Sequence, residues 1–283
     1  IESEEDLDRL VFSPLCVNNL VSYLVLEDRP PLPRGVEPEH KKVGLIVKGC
    51  DSRAINQLIA ERGISRDDLI ILGVPCRGVV DLRKLEQMFP DVLEGDVIDK
   101  GETFLVICDG EEHEVPRDEL LAAKCKSCEY PNPVIYDVLL GEEVESGEPN
   151  YDRVKELEAM SPDEKWAYWE EKFARCMRCY ACRNVCPLCY CDDCILEKLR
   201  PQWIRRSVNL TENLAFQVTR VYHLAGRCIG CGECERACPM NIPLSELNRK
   251  MELDVKELFG YTAGIEPEEG SALTVFDPND PEE

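Results

Sequence analysis

The sequence predicts an α+β protein, with a small α/β domain in the N-terminal half and a mostly helical domain after it. Three observations carry this. Residues 43–123 alternate short apolar runs with amphipathic stretches, the rhythm of strand–helix–strand units. Beyond residue 150 the apolar side chains recur at helical spacing instead. Between the two regions, residues 141–149 form a polar stretch bearing Gly141, Gly147 and Pro149, which reads as a linker. A length of 283 residues suits about two domains. The expected divisions are 1–145, 146–265 and an acidic tail over 266–283.

Taken in order, residues 28–38 carry Pro30, Pro31, Pro33 and Pro38 and read as an extended connector. Residues 43–47 form the first strand. Asp51 or Ser52 can cap a helix whose buried side holds Ala54, Ile55, Leu58 and Ile59, with Gly63 as its stop. Residues 69–74 form a second strand and 81–89 a second helix. Two strands over 103–108 and 111–115, joined by Asp109-Gly110, read as a hairpin, and Pro116 opens another helix. Together these strands suggest one small mixed sheet. Further on, Ser161-Pro162-Asp163-Glu164 is a capping box with proline at the first helical position. Trp166, Trp169 and Phe173 form the apolar stripe of the helix it starts. Residues 211–225 read as an amphipathic helix packing through Leu214, Val218, Val221 and Leu224. Residues 243–259 do the same through Leu244, Leu247, Met251, Val255 and Leu258.

Composition excludes several function classes. Lys and Arg number 33 against 56 Asp and Glu, so the formal charge is −23, which repels nucleic acid. No stretch approaches the roughly 20 apolar residues of a membrane span. No Ser/His/Asp set, phosphate loop or H-E-x-x-H motif occurs, and the only histidines are His40, His113 and His223. No catalytic residue is therefore assigned.

The 17 cysteines set the chemistry. An odd count in a long chain with an acidic start and no visible export signal argues against a disulfide scaffold and for a reducing, cytoplasmic setting. Two compact runs make metal the economical explanation. Cys176, Cys179, Cys182 and Cys186-Pro187 follow C-x2-C-x2-C-x3-C-P, and Cys228, Cys231, Cys234 and Cys238-Pro239 repeat it. This is the pattern of two-cluster bacterial-type ferredoxins, in which three cysteines wrap one [4Fe–4S] cube and the fourth ligates the other. Cluster A then takes Cys176, Cys179, Cys182 and Cys238. Cluster B takes Cys228, Cys231, Cys234 and Cys186. Ala181, Gly230 and Gly232 let backbone N–H groups approach the sulfurs.

About forty residues separate the runs, a long insert for such a module. It opens with Cys189, Cys191 and Cys194, which can bind zinc or help complete another cluster, or can stay as plain cysteines beside the cubes. No fourth ligand is evident. In the N-terminal half Cys50 and Cys76 follow the first two strands, and Cys125 and Cys128 form C-x2-C. Loops after parallel strands converge on one sheet edge. A third cluster at these four is the natural reading, beside zinc at the same thiols or a metal-free redox pair. Cys16 and Cys108 remain as core residues.

Gly73-Val74-Pro75-Cys76 and Lys124-Cys125-Lys126-Ser127-Cys128-Glu129-Tyr130-Pro131 resemble the G-x-P-C and C-x2-C segments of the coenzyme F-420 hydrogenase/dehydrogenase beta-subunit family, which includes formate dehydrogenase beta subunits. The resemblance covers roughly residues 40–145. It implies iron–sulfur clusters, often a flavin, and transfer of electrons between a catalytic subunit and a soluble carrier. No G-x-G-x-x-G follows a strand, so no Rossmann dinucleotide site is indicated.

The sequence thus predicts an electron-transfer subunit of a cytoplasmic, oxygen-sensitive oxidoreductase complex. Its catalytic partner would be of the formate dehydrogenase, hydrogenase, heterodisulfide-reductase-like or tungsten/molybdenum kind. Two alternatives come from other classes: a flavin- or deazaflavin-binding subunit doing hydride chemistry itself, and a zinc-binding interaction module.

Overall fold

The computed structural model describes residues 4–25, 42–90, 92, 95–191 and 193–266. The connector expected over 28–38 lies outside them, as does the expected tail beyond residue 266. Among the described residues there are six strands, β1 (Val43–Val47), β2 (Leu69–Gly73), β3 (Asp96–Asp99), β4 (Thr103–Cys108), β5 (Glu111–Pro116) and β6 (Val138–Leu139). They build two three-stranded sheets, not the one mixed sheet the pattern suggests. The fold is α+β as expected.

The first sheet is parallel, in the order β1-β2-β6. Val43 lies opposite Leu69 and Val47 opposite Gly73, while Leu72 of β2 meets Val138 of β6. A parallel pair needs a crossover, and the helix Gly49–Ala60 supplies it. That helix starts two residues before its expected cap. Lys48 is the N-cap, and Asp51, at the third helical position, accepts a hydrogen bond from the Lys48 backbone N–H at 3.0 Å. The Lys48 ammonium lies 2.9 Å from the same carboxylate. Neither Asp51 nor Ser52 is therefore the cap. Nor is Gly63 the residue that turns the chain: Arg62 adopts the left-handed conformation, with φ 58°.

The second sheet is antiparallel, in the order β3-β4-β5, with the Asp109-Gly110 turn expected between β4 and β5. Phe104, Val106 and Cys108 alternate inward along β4 and meet Val97, Val115, Leu85 and Leu120 in one core.

The chain divides into two compact units. One comprises 1–18, 76–131 and 144–148 and holds the antiparallel sheet. The other comprises 19–75, 132–143 and 149–283, so the parallel sheet belongs with the helical, cysteine-rich half. These units cut across the sequence division at residue 145.

The larger unit has two cores. One joins Val47, Ile55, Leu58 and Ile71 of the parallel layer to Leu188, Leu224 and Ile229. The other gathers Phe173, Phe216 and Leu244 from three helices, Pro162–Ala174, Leu210–His223 and Leu244–Phe259, with Ile242 from the loop before the last. The first of these starts at the expected box: the Ser161 hydroxyl accepts from the Glu164 N–H, and the Glu164 carboxylate accepts from the Ser161 N–H. Trp169 and Phe173 stack at 5.3 Å, but Trp166 is 56% exposed and does not belong to the buried stripe. Val218 and Leu258 likewise face solvent. No helix among the described residues is long and apolar enough to cross a membrane.

Candidate metal centre

Both cysteine runs fold the same way. Each wraps as a loop and then enters one turn of helix, Ala181–Asn184 in the first and Glu233–Arg236 in the second. Two positions in each loop are left-handed: Arg178 and Tyr180 in the first (φ 55° and 61°), Gly230 and Gly232 in the second (φ 67° and 66°). Alternation of left- and right-handed residues turns successive N–H groups to one side, the geometry of an anion-binding nest.

Four sulfurs converge where the two runs meet. Cys176, Cys179 and Cys182 from the first run and Cys238 from the end of the second line one recess of about 320 Å3, counting the space open to solvent. Met177, Phe216, Met240 and Ile242 form its apolar wall. The Gln217 amide points an N–H at the Cys176 Sγ at 3.7 Å. Four thiols without a carboxylate in an apolar recess are the soft donor set an iron–sulfur cube requires.

The second group lies deeper. Cys186 and Cys231 are buried in the core against the parallel sheet, and Cys228 packs against them. The charges of Cys186 and Cys234 bear on Cys228, so these thiols are close neighbours. The Gly230 N–H points at the Cys228 sulfur, and Asn248 donates to the Cys234 Sγ at 3.4 Å. Burial pushes the thiol of Cys228 up to about 12 and that of Cys182 to about 11, and raises Cys234 as well. Cys186 moves the other way, downward, because the Cys189 thiol donates to it. Burial favours the protonated form of Cys228, Cys182 and Cys234, so metal entry at those sulfurs must displace protons.

The remaining cysteines are placed as follows. Cys189 packs beside Cys186 in the core under the parallel sheet, Cys194 packs against the other core, and Cys191 is exposed. The structure does not bring these three together. In the smaller unit, the N–H of Gly78 points at the Cys76 Sγ and that of Val79 at the Cys125 Sγ, each at 3.4 Å. Cys128 belongs to the same unit, whereas Cys50 belongs to the larger one. Among the described residues, no three His, Cys, Asp or Glu side chains close around a single ion. A tetrahedral zinc–thiolate site needs sulfurs roughly 3.8 Å apart, from Zn–S bonds of about 2.3 Å. A cube needs them much wider, because each of its irons takes one thiolate.

Sequence reasoning missed the inner face of the helix Leu210–His223. Its buried residues include Asn213, Gln217 and Arg220, spaced i, i+4, i+7. That spacing is visible in the sequence, but hydrophobic patterning singles out Leu214, Val218, Val221 and Leu224 and gives no reason to look at the polar residues beside them.

Comparison with known proteins agrees with this geometry. Residues 175–243 match the 4Fe-4S dicluster domain family. The chain is 30% identical to the F420-dependent formate dehydrogenase subunit beta of Methanocaldococcus jannaschii, over 80% of this chain and 74% of the relative. It is 27% identical to the F420-dependent formate dehydrogenase 1 subunit beta of Methanococcus maripaludis, over 82% of this chain and 75% of the relative.

Proposed function

The chain belongs to the family of F420-dependent formate dehydrogenase beta subunits and is an iron–sulfur electron-transfer subunit of an oxidoreductase with two [4Fe–4S] clusters; from that premise we propose that it relays electrons between a formate-oxidising subunit and the carrier F420. The observation that carries the reading is the recess lined by thiols from both runs. It supports a crossed ligand set, with Cys176, Cys179, Cys182 and Cys238 on one cluster and Cys228, Cys231, Cys234 and Cys186 on the other. A cube saturated by four thiolates offers no site for a substrate and supplies one-electron transfer. The protein contributes sulfur ligands, N–H donors and the exclusion of water.

A third cluster, with Cys76, Cys125 and Cys128 of the smaller unit among its ligands, extends the relay in this proposal. Its support is the pair of backbone N–H groups aimed at Cys76 and Cys125, the arrangement that stabilises thiolate sulfur. Heavy use of free thiols supports a reducing, cytoplasmic location.

Anaerobic co-purification with the partner subunits tests the whole reading. This chain should carry about twelve irons, four per cube, with matching acid-labile sulfide and neither zinc nor flavin. Formate should bleach the cluster absorption, and F420 should restore it. About eight irons removes the third cluster. Clusters that ignore formate remove the proposed donor. A flavin band at one per chain would instead favour a subunit that performs hydride chemistry itself.

A further inference from the structure

The helix Leu210–His223 lies in the insert between the two cysteine runs, and beside Phe216 and Val221 its buried side carries a polar stripe. Asn213 donates to the carbonyls of Phe173 and Cys176, at 3.0 and 2.8 Å, and so fixes the entry to the first run. Gln217 follows, pointing at the Cys176 sulfur. Arg220 comes next and is the most unusual of the three. It is 2% exposed, and only its Nη2 is satisfied, by the Cys182 carbonyl at 3.0 Å. Its Nε and Nη1 have no hydrogen-bond partner. The charges that bear on it most are the sulfurs of Cys234, Cys186, Cys182 and Cys189. At the Cys234 thiol the guanidinium opposes the effect of burial, by its charge and by a side-chain hydrogen bond.

A guanidinium held this deep, with its Nε and Nη1 lacking hydrogen-bond partners, is unfavourable by itself, because its lost hydration is not fully replaced. The site makes physical sense once anions stand beside it. A cube held by four thiolates is an anion, and it becomes more negative when it takes an electron. A fixed neighbouring cation therefore favours the reduced form over the oxidised one.

We propose that Arg220 is a potential-setting residue for the cluster pair: its buried guanidinium, lodged between the Cys182 side of one ligand set and the Cys186 and Cys234 side of the other, holds both couples at more positive potential. The second cluster feels it more, since two of its four ligands are neighbours of Arg220 and only one ligand of the first cluster is. Gln217 plays a smaller part, confined to the first cluster, through its N–H toward the Cys176 sulfur. This inference rests on the two-cluster reading above.

The test is a potentiometric EPR titration of the complete, anaerobically loaded protein. In Arg220→Gln the ratio of reduced to oxidised second cluster, at a fixed solution potential, should fall about tenfold. That corresponds to a midpoint lower by about 59 mV for one electron. The first cluster should move in the same direction by less. Arg220→Lys, which keeps the charge, should recover most of the shift. A merely structural arginine would leave the midpoints of intact clusters unmoved, and that result overturns the inference while leaving the clusters in place. Iron-free, colourless wild-type protein would instead overturn the reading beneath it. Should Arg220→Gln fail to load, the native sequence labelled with guanidino-15N arginine decides. A 15N hyperfine coupling to the reduced cluster is expected, and its absence refutes the placement.

Discussion

The two cysteine loops trace one backbone with different side chains, and the difference shows what a cluster demands of a polypeptide. The second loop puts glycine at both left-handed positions, Gly230 and Gly232. The first puts Arg178 and Tyr180 there, where a side chain raises the backbone energy by about 1–2 kcal/mol per residue. Those side chains are used. The Arg178 guanidinium lies 4.6 Å from the centre of the Phe216 ring and donates to the Glu212 carbonyl at 2.8 Å. Tyr180 meets Phe216 edge-on at 5.3 Å. The first loop is thus clamped to the insert helix, and packing offsets its strain. The second avoids the strain and is steadied by Asn248 from the helix Leu244–Phe259. What the two loops share is the direction of their N–H groups; what fills the space outside is free to differ.

The crossing of the fourth cysteines is where the comparison breaks most completely. If each fourth cysteine serves the opposite loop, Cys186→Ser should abolish the EPR signal that Cys231→Ser also abolishes, and spare the one lost in Cys179→Ser. Cys238→Ser should do the reverse. Each variant should lose up to four irons, a whole cube. Loss of the signal belonging to the mutated cysteine's own run would mean that each loop closes on itself, and the shared recess of Cys238 with Cys176, Cys179 and Cys182 would need another purpose.

The sulfur spacing was legible because cube geometry fixes it in sequence: two residues between neighbouring ligands, then a helix carrying the fourth away. The parallel pair β1 and β2 was legible as apolar runs, and the helix at Ser161 by its reciprocal cap. Other features had no comparable local signal. Strand β6 is two residues long and joins β2 from far along the chain, so nothing near Val138 announces it. Asp51 looks like a cap in isolation, but the buried Lys48 ammonium draws it into the first turn. The helix Leu210–His223 misled for a deeper reason. Hydrophobic patterning assumes that apolar side chains face inward. Here the interior holds a cysteine loop whose carbonyls and sulfur take N–H donors, so Asn213, Gln217 and Arg220 are buried while Val218 is 41% exposed.

A smaller effect separates the loops energetically. Gly230→Ala and Gly232→Ala should each destabilise the loaded protein by about 1–2 kcal/mol, read as an earlier urea midpoint for loss of cluster absorption. Space is not the reason at Gly230: the nearest atom to a new Cβ would be a Glu252 carboxylate oxygen, at an ordinary 3.7 Å. The backbone alone resists. Midpoints unchanged in both variants would show that the cluster can hold the left-handed turns whatever residue occupies them.

The finest distinction lies at Arg178, where two opposing terms can be separated. Replacing it with glycine removes the left-handed penalty but also the contact with Phe216 and the hydrogen bond to the Glu212 carbonyl. An interaction of a cation with an aromatic face is worth roughly 0.5–2 kcal/mol, similar in size to the relieved strain, so Arg178→Gly should stay within about 1 kcal/mol of the native midpoint. Arg178→Ala loses the same contacts and keeps the strained turn. It should therefore be the less stable of the two by about 1 kcal/mol or more. Urea titration of the pair, under the same anaerobic conditions, reads that gap directly. Equal midpoints would mean that the first loop relaxes out of the left-handed conformation once its clamp is gone, and that its geometry is imposed by the insert helix through Arg178 and not by the sulfur ligands.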